Sequence, residues 1–175
     1  MPWCRVYHAT SARPPVLLPR VRGALRLSPS ELVRAVEAVV LFQGFRVALR
    51  VVSGARLVRW LGARGTPDAP PAAPEALPPG VAAVRRALRR ASRRHPDTCL
   101  AQALAGRVML RRRGLPSTLS LGARKEGERL AFHAWLRAGG LLLNPGGGPR
   151  DYAVLATFHD TPGPARLGDR VPEAG

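Results

Sequence analysis

Apolar residues recur at three- and four-residue steps through residues 33–58, the first part of the chain with a regular pattern. The stripe consists of Val33, Val36, Val40, Gly44, Val47, Val51, Ala55 and Val58. At about 100° per residue, a set of arginines falls on the other side of this helix. Ser28 or Ser30 can cap a helix that begins near Glu31. The pattern predicts an amphipathic helix that packs its valine stripe on the rest of the protein.

This helical segment can also form two helices, broken near Gly44 or at Ser53-Gly54, because glycine weakens a helix interior. A basic face opposite an apolar stripe also suits a helix that lies on a membrane surface, which is the alternative to packing on the core. A transmembrane span needs about 20 apolar residues, and the longest uncharged run of this helical segment, residues 38–45, is far shorter. We therefore expect no integral membrane segment.

A second helix is predicted for residues 81–94, before Pro96 ends it. Its apolar side consists of Val81, Val84, Leu88 and Ala91. Six arginines lie beside that apolar side. They either raise the electrostatic potential next to the following segment or form a solvated face, and we expect mainly the solvated face.

Residues 95–114 predict a third helix, with Cys99 on its first turn. Pro96 and Asp97 suit the start of a helix, and Gly114 suits its end. The unpaired backbone N–H groups and the positive end of the helix dipole stabilise a thiolate at Cys99, which makes the thiol a better nucleophile. A small, apolar cysteine buried at a helix start is the alternative interpretation.

Four strands follow this helix, and we expect them to form an antiparallel meander. They are predicted at residues 118–123, 130–136, 141–143 and 152–158, with glycine-containing turns between them. In the second strand, one face consists of Leu130, Phe132, Ala134 and Leu136. His133 and Trp135 share the other face, so His133 points away from the apolar core.

If the Cys99 helix packs on the second side of the sheet, its thiol and the His133 imidazole can meet. Activation of a cysteine by a histidine requires hydrogen-bond reach between the two side chains, with a third polar group to orient the imidazole. The alternative is a histidine on an exposed strand face.

Several short motifs follow one another in the second half of the chain. Cys-Leu at residues 99–100 is followed by Arg-Arg-Arg-Gly-Leu-Pro, by Leu-Ser-Leu-Gly-Ala-Arg-Lys and by Phe-His-Ala-Trp-Leu. This order resembles the leader peptidase of lasso-peptide biosynthesis, a small transglutaminase-like cysteine protease, over about residues 81–158. The resemblance implies that Cys99 is the nucleophile and His133 its base. It also implies an α+β fold with a transglutaminase/papain-like core, in which a helix bearing the cysteine packs on a small antiparallel sheet, preceded by apolar helices.

The sequence departs from the family at the third catalytic position. The family usually carries an aspartate just after the hairpin that follows His-Ala-Trp, and Pro145 stands at that position here. An amide oxygen can orient a catalytic imidazole, as in Cys-His-Asn sites, so Asn144 is the first candidate for the third residue. Asp151 is the second candidate. The missing acid is also consistent with weakened or lost activity.

The resemblance implies a function: removal of the leader from a ribosomally made lasso-peptide precursor. It implies three partners, namely the precursor, a separate leader-recognition protein and an ATP-dependent cyclase that acts next. No cofactor is expected. Two other classes stay open: an acyltransferase that uses the same Cys-His site, and a non-catalytic basic module that binds nucleic acid or an acidic partner.

The length and composition suit one domain with irregular segments around it. The chain has 175 residues, and its 18 glycines and 18 prolines make up about a fifth of them. We expect an irregular lead-in over residues 1–27, the amphipathic helical segment over 28–64, and a proline-rich connector over 65–80 that forms neither helix nor sheet. The protease core is expected over 81–158 and a disordered tail over 159–175.

The net charge of +17 raises the possibility of nucleic-acid binding. Lys125 is the only lysine among the 28 basic residues, and the chain has no isoleucine, which indicates a bias toward GC-rich codons. Aromatic residues make up only 5% of the chain and do not alternate with the arginines as a base-stacking surface requires. We therefore expect no nucleic-acid partner, although an acidic protein partner fits the charge.

The two cysteines, Cys4 and Cys99, form neither a disulfide framework nor a metal-binding pattern. A reactive thiol suits a reducing compartment, and no secretory signal is apparent because the early apolar run at residues 16–18 is too short. We therefore expect a cytoplasmic protein with no bound metal.

Overall fold

The computed structural model describes residues 28–52, 56, 61, 64–65, 78–95, 98–144 and 151–160. These residues form three helices: α1 (Pro29–Val51), α2 (Pro79–Ala91) and α3 (Cys99–Arg111). They also form the strands β1 (Arg64–Gly65), β2 (Ser117–Glu126), β3 (Arg129–Ala138), β4 (Leu141–Leu142) and β5 (Ala153–Asp160). The expected α+β fold, with the cysteine-bearing helix on an antiparallel sheet, is confirmed.

The strands form one antiparallel sheet in the order β1-β5-β2-β3-β4. The β2–β3 and β3–β4 connections are tight turns, at which Gly127, Gly139 and Gly140 have φ values of 59°, 52° and 76°. Such positive φ values favour glycine. The predicted meander is wrong at its last step, because β5 pairs with β2 and not with β4. This placement puts Phe158 beside Leu119 and buries both side chains completely.

The three helices lie on one face of the sheet, and α3 is the central one. A Cβ atom on Gly106 of α3 would lie 2.6 Å from Leu136 Cδ2 and 2.6 Å from Leu88 Cδ1. Leu136 belongs to β3 and Leu88 to α2, so α3 lies between the sheet and α2, and a larger residue at this position would require the two leucine side chains to shift.

Helix α1 starts as predicted but buries a different side. Ser28 is its N-cap and forms a capping box with Glu31. Ala38 and Phe42 are fully buried, and the partly buried residues beside them are Leu41, Phe45 and Leu49. The expectation that the valine stripe packs on the core is wrong: Val40 is 63% exposed. Both stripes have helical spacing, and the one with the larger phenylalanine and leucine side chains removes more apolar surface from water.

Helix α1 continues through Gly44 without a break. It ends before the predicted break at Ser53-Gly54, which lies outside the described residues, as do Ala55 and Val58. None of the described helices combines the length and the apolar character that crossing a bilayer requires.

The predicted connector over residues 65–80 is shorter in the structure at both ends. Arg64 and Gly65 pair with β5, while Pro79 and Gly80 form the first turn of α2. Proline fits the first turn of a helix because the N–H that it lacks has no intrahelical partner there. The predictions for residues 1–27, 66–77, 146–148 and 161–175 fall outside the described residues.

A buried ion pair joins α3 to the last strand. Arg107 Nε donates to Asp160 Oδ2 at 2.7 Å and Arg107 Nη2 donates to Asp160 Oδ1 at 2.9 Å. Nη2 also donates to the carbonyl oxygen of Leu61 at 3.1 Å. The arginine is only 5% exposed. Asp160 therefore belongs to the folded core, two residues beyond the boundary predicted for it.

We predict that Asp160→Ala lowers the free energy of unfolding by about 3–5 kcal/mol, because it leaves a buried guanidinium without its carboxylate. Urea unfolding followed by circular dichroism measures this change. The control is Glu126→Ala, which removes the more exposed pair with Arg124 and should cost about 0–1 kcal/mol. Equal, small losses for both variants would contradict a structural role for the buried pair.

Candidate active site around Cys99 and His133

The turn before α3 is held by two side chains that share one acceptor. Thr98 Oγ1 donates to the carbonyl oxygen of His95 at 2.7 Å, and Gln102 Nε2 donates to the same oxygen at 3.3 Å. Thr98 is the N-cap residue, but its side chain does not cap the helix because it is bound to His95. The backbone N–H of Gln102 makes the first intrahelical bond, to the carbonyl oxygen of Thr98.

Cys99 is the first residue of α3, as the sequence predicts for the start of that helix. The N–H groups of a first helical turn have no intrahelical acceptor and point toward the helix end, where they stabilise negative charge. The Cys99 residue is only 3% exposed and belongs to the main apolar core. The structure thus combines the two interpretations: Cys99 occupies the position of a helix-activated thiol and is buried with apolar side chains.

His133 is in the middle of β3 and is 5% exposed. Its ring lies 5.2 Å from the Trp135 ring and 5.6 Å from the Tyr152 ring, measured between centroids. The Trp135 and Tyr152 rings are also 5.2 Å apart, so the three rings form a compact cluster. Neither ring nitrogen of His133 has a hydrogen-bond partner among the residues that the structure describes. A buried imidazole with both nitrogens unpaired is unusual, because most buried polar atoms are paired.

The structure places Cys99 and His133 on opposite sides of the sheet. Leu136 contacts the α3 side, as its closeness to Gly106 shows, and side chains alternate between faces along a strand. The β2–β3 register is regular, so Ala134 shares the face of Leu136 whereas His133 and Trp135 share the other. Helix α3 therefore covers the apolar face of β3, and the condition for a direct meeting of thiol and imidazole is not met in this conformation.

Asn144 is buried and bound to the backbone of β3. Its Oδ1 accepts from the N–H of Leu136 at 2.8 Å, and its Nδ2 donates to the carbonyl oxygen of Ala134 at 2.6 Å. The amide extends the β3–β4 pairing beyond the two residues of β4. The structure thus brings Asn144 next to β3 near His133 but does not hydrogen-bond it to the imidazole.

Asp151 is exposed and precedes Tyr152, whose ring contacts His133. The guanidinium of Arg124 lies over the Tyr152 ring at 4.8 Å from its centroid. Asp151 therefore adjoins the His133 cluster through Tyr152, its neighbour in the chain, and through its charge interaction with Arg124. Among the residues that the structure describes, no group of histidine, cysteine, aspartate and glutamate side chains is arranged to hold a metal ion.

Gly122 was not singled out from the sequence, yet it determines where Trp135 lies. A Cβ atom at this position would be 2.6 Å from Trp135 Cη2 and 2.7 Å from Cζ3. Gly122 is paired with His133 across the two strands. The glycine thus lets the indole lie flat over β2 beside the imidazole. A glycine in the middle of a predicted strand is the sequence signal for such a close approach.

Helix α2 ends at Ala91, before the predicted end at residue 94, and the arginines of this helix and of the turn after it form mainly a solvated face, as expected. Those at positions 86, 89, 90, 93 and 94 are exposed, and Arg85 is half-buried. They carry positive charge on the surface that leads to the turn before α3.

The comparisons with known proteins agree with this architecture. Residues 38–157 match a family model described as the transglutaminase-like superfamily. No curated protein and no solved structure matches the chain significantly. The matched range covers well over half of the chain and contains α3, β2, β3 and β4 in full. Members of this superfamily are typically cysteine-dependent enzymes, with a fold of the cysteine-protease and acyltransferase type. The chain belongs to the transglutaminase-like superfamily.

Proposed function

We propose that this protein is a cysteine peptidase that removes the leader peptide from a lasso-peptide precursor. The observation that carries the proposal is the position of Cys99 as the first residue of a helix packed on the sheet, within the transglutaminase-like region. The Cys-Leu, Gly-Leu-Pro, Leu-Gly-Ala and His-Ala-Trp motifs occur in the order of lasso leader peptidases and support this choice within the superfamily. The proposed partners are the precursor, a leader-recognition protein and a cyclase that consumes ATP, in a reducing cytoplasm.

The chemistry begins with attack of the Cys99 thiolate on the carbonyl carbon of the scissile amide. The carbonyl oxygen becomes negative, and the N–H groups of the first turn of α3 are the nearest built-in donors for it. Collapse of this intermediate breaks the C–N bond, and the leaving amine takes a proton from the general acid. A thioester remains on Cys99 until water hydrolyses it and releases the second peptide.

His133 is the proposed general base and acid. Cys99 precedes Gly106 by seven residues, about 10.5 Å of helix, and His133 precedes Leu136 by three residues, about 10 Å of strand. A short connection joins α3 to β2, so the helix and this strand run in opposite directions. Because β3 is antiparallel to β2, α3 and β3 run in the same direction. This direction brings Cys99 and His133 to similar levels along β3, on opposite faces.

The proposed reaction therefore requires a rearrangement. The His133 part of β3 lies beyond the end of β4, which pairs only with Arg137 and Ala138. The first turn of α3 is held by side-chain bonds to one carbonyl oxygen. Because His133 is paired with Gly122 of β2, binding of the precursor or of the leader-recognition protein would have to release this part of β3 from β2 and turn it over before the imidazole reaches the thiol.

We predict that Cys99→Ala abolishes release of the leader, while Cys4→Ala leaves it intact. The protein, the precursor and the leader-recognition protein are incubated together, and the free leader is followed by mass spectrometry. A primary alkylamine in the same reaction distinguishes the alternative, since an acyltransferase would give the amide of that amine, seen as a mass shift, in preference to the free acid. Equal cleavage by the wild type and by Cys99→Ala would refute a cysteine mechanism.

We predict that His133→Asn lowers kcat by about 10²–10⁴, the contribution typical of a general base. The matched control is His95→Asn, because His95 is the described histidine nearest to Cys99 in sequence and its ring packs 6.1 Å from that of Phe42. The His95 variant should retain kcat within a few fold. The opposite result, with His95 essential and His133 dispensable, would assign the role of general base to His95, on the side of the sheet that α3 covers.

We predict that Asn144→Ala lowers the free energy of unfolding by about 1–3 kcal/mol, because the N–H of Leu136 and the carbonyl of Ala134 lose their partner. Asp151→Ala, at an exposed position, should change it by less than about 0.5 kcal/mol. If Asn144 also orients His133, its variant loses up to about 10⁴ in kcat at temperatures where it is fully folded. Full activity in the folded Asn144 variant, with loss in Asp151→Ala, would assign the orienting role to Asp151.

A further inference from the structure

Helix α1 presents a second apolar face to solvent, opposite the face that packs on the core. Its exposed apolar residues are Leu32, Val33, Val36, Val39, Val40, Val47, Val51 and Val52. The exposed fraction is 63% at Val40, 60% at Val47 and 79% at Val51. A helix that is apolar all round is normally covered on all sides. A contiguous exposed apolar patch of this kind marks an interaction site.

The spacing of this stripe suits a second helix. Val33, Val40 and Val47 follow one another at seven-residue steps, and Val36 lies between the first two. This is the repeat with which one helix packs along another. From Val33 to Val51 the stripe is about 27 Å long. Gly44 lies in its middle, and no atom of the described residues outside its own helix turn comes within 4 Å of its Cβ position, which leaves room for a close approach.

The border of the stripe is basic. Arg50 lies beside it on α1, and Arg34 lines a shallow depression with Glu31 and with Arg86 and Arg90 of α2. On the other side of the stripe, Glu37 of α1 forms ion pairs with Arg112 and Arg113 at the end of α3, so two arginines face one carboxylate there. The chain as a whole carries a net charge of +17. A complementary surface therefore combines an apolar seam with acidic flanks.

Two other occupants fit less well. A second copy would bring two basic borders together, and a net charge of this size opposes self-association. A membrane-surface helix normally inserts tryptophan, phenylalanine or leucine, whereas this face consists mainly of valine and the phenylalanines of α1 point to the core. We propose that the exposed valine stripe of α1 docks an amphipathic helix of an acidic partner protein. The proposal does not depend on the peptidase activity.

The direct test uses the full chain and a dye-labelled synthetic peptide of about four heptads, with valine at a, leucine at d and glutamate at e and g. Its like charges keep it from pairing with itself. Fluorescence anisotropy should show binding that weakens with added salt, because the arginine border is screened. A peptide with lysine in place of each glutamate should bind at least about tenfold more weakly.

Matched variants test the position of the surface. Val40→Ser combined with Val47→Ser should weaken binding of the acidic peptide at least about tenfold. The control combines Leu130→Ser with Leu155→Ser, whose exposed fractions of 63% and 60% equal those of the two valines. This control, on the sheet, should bind within about twofold of the wild type. Cys99→Ala should bind as the wild type does, which separates docking from the proposed catalysis.

Three outcomes would overturn the proposal. Equal affinity for the acidic and the basic peptide would show that the arginines do not select an acidic partner. A second contrary result is that the wild type binds vesicles of equimolar phosphatidylglycerol and phosphatidylcholine and not the peptide. If the valine variant loses this vesicle binding, the face belongs to a membrane contact. A dimer in sedimentation velocity that the same variant dissolves would assign it to a second copy of this chain.

Discussion

The ion pair between Arg107 and Asp160 joins elements of this fold that are far apart in the sequence. It joins the middle of α3 to the end of β5, and the same guanidinium holds the carbonyl of Leu61. Taking two charges out of water is costly, so such a pair persists only with good geometry and additional hydrogen bonds. Here Nε and Nη2 of Arg107 are bonded, whereas its Nη1 is buried without a partner among the described residues. The pair holds the end of β5, which is paired with β2, against α3.

The elements themselves were largely predictable, because local periodicity and turn residues determine them. The helix at Cys99, the Ser28 cap, and the strands around His133 all form within a few residues of the expected positions. The strand order and the contacts between residues distant in sequence were not predictable from such local patterns. Strand order depends on which edge of the sheet β5 joins, and the sequence near β5 fits either edge. The ion pair joins residues 53 positions apart, and no local pattern indicates it.

The wrong assignment of the faces of α1 has a related cause. Valine and phenylalanine stripes both recur at helical steps, so periodicity alone does not show which of them faces inward. In the structure Phe42 and Ala38 are buried, so the stripe that contains the phenylalanines faces inward. At the site, alternation along β3 correctly separated His133 from the apolar face. Whether His133 meets Cys99 is determined by the face of the sheet on which α3 packs. The closeness of Gly106 to Leu136 shows that α3 packs on the face opposite to His133.

The bonding of Asn144 constrains which residues this position accepts, whatever its part in the chemistry. A primary amide offers an acceptor and a donor in the same arrangement as a peptide group, so its side chain serves as one more rung of the β3–β4 ladder. A carboxylate there would meet the N–H of Leu136 favourably but would face the carbonyl oxygen of Ala134 with like partial charge. The following Pro145 has no N–H with which to continue the ladder. The amide thus closes this stretch of the outer edge of β3 to invading strands, a form of protection against edge-to-edge aggregation.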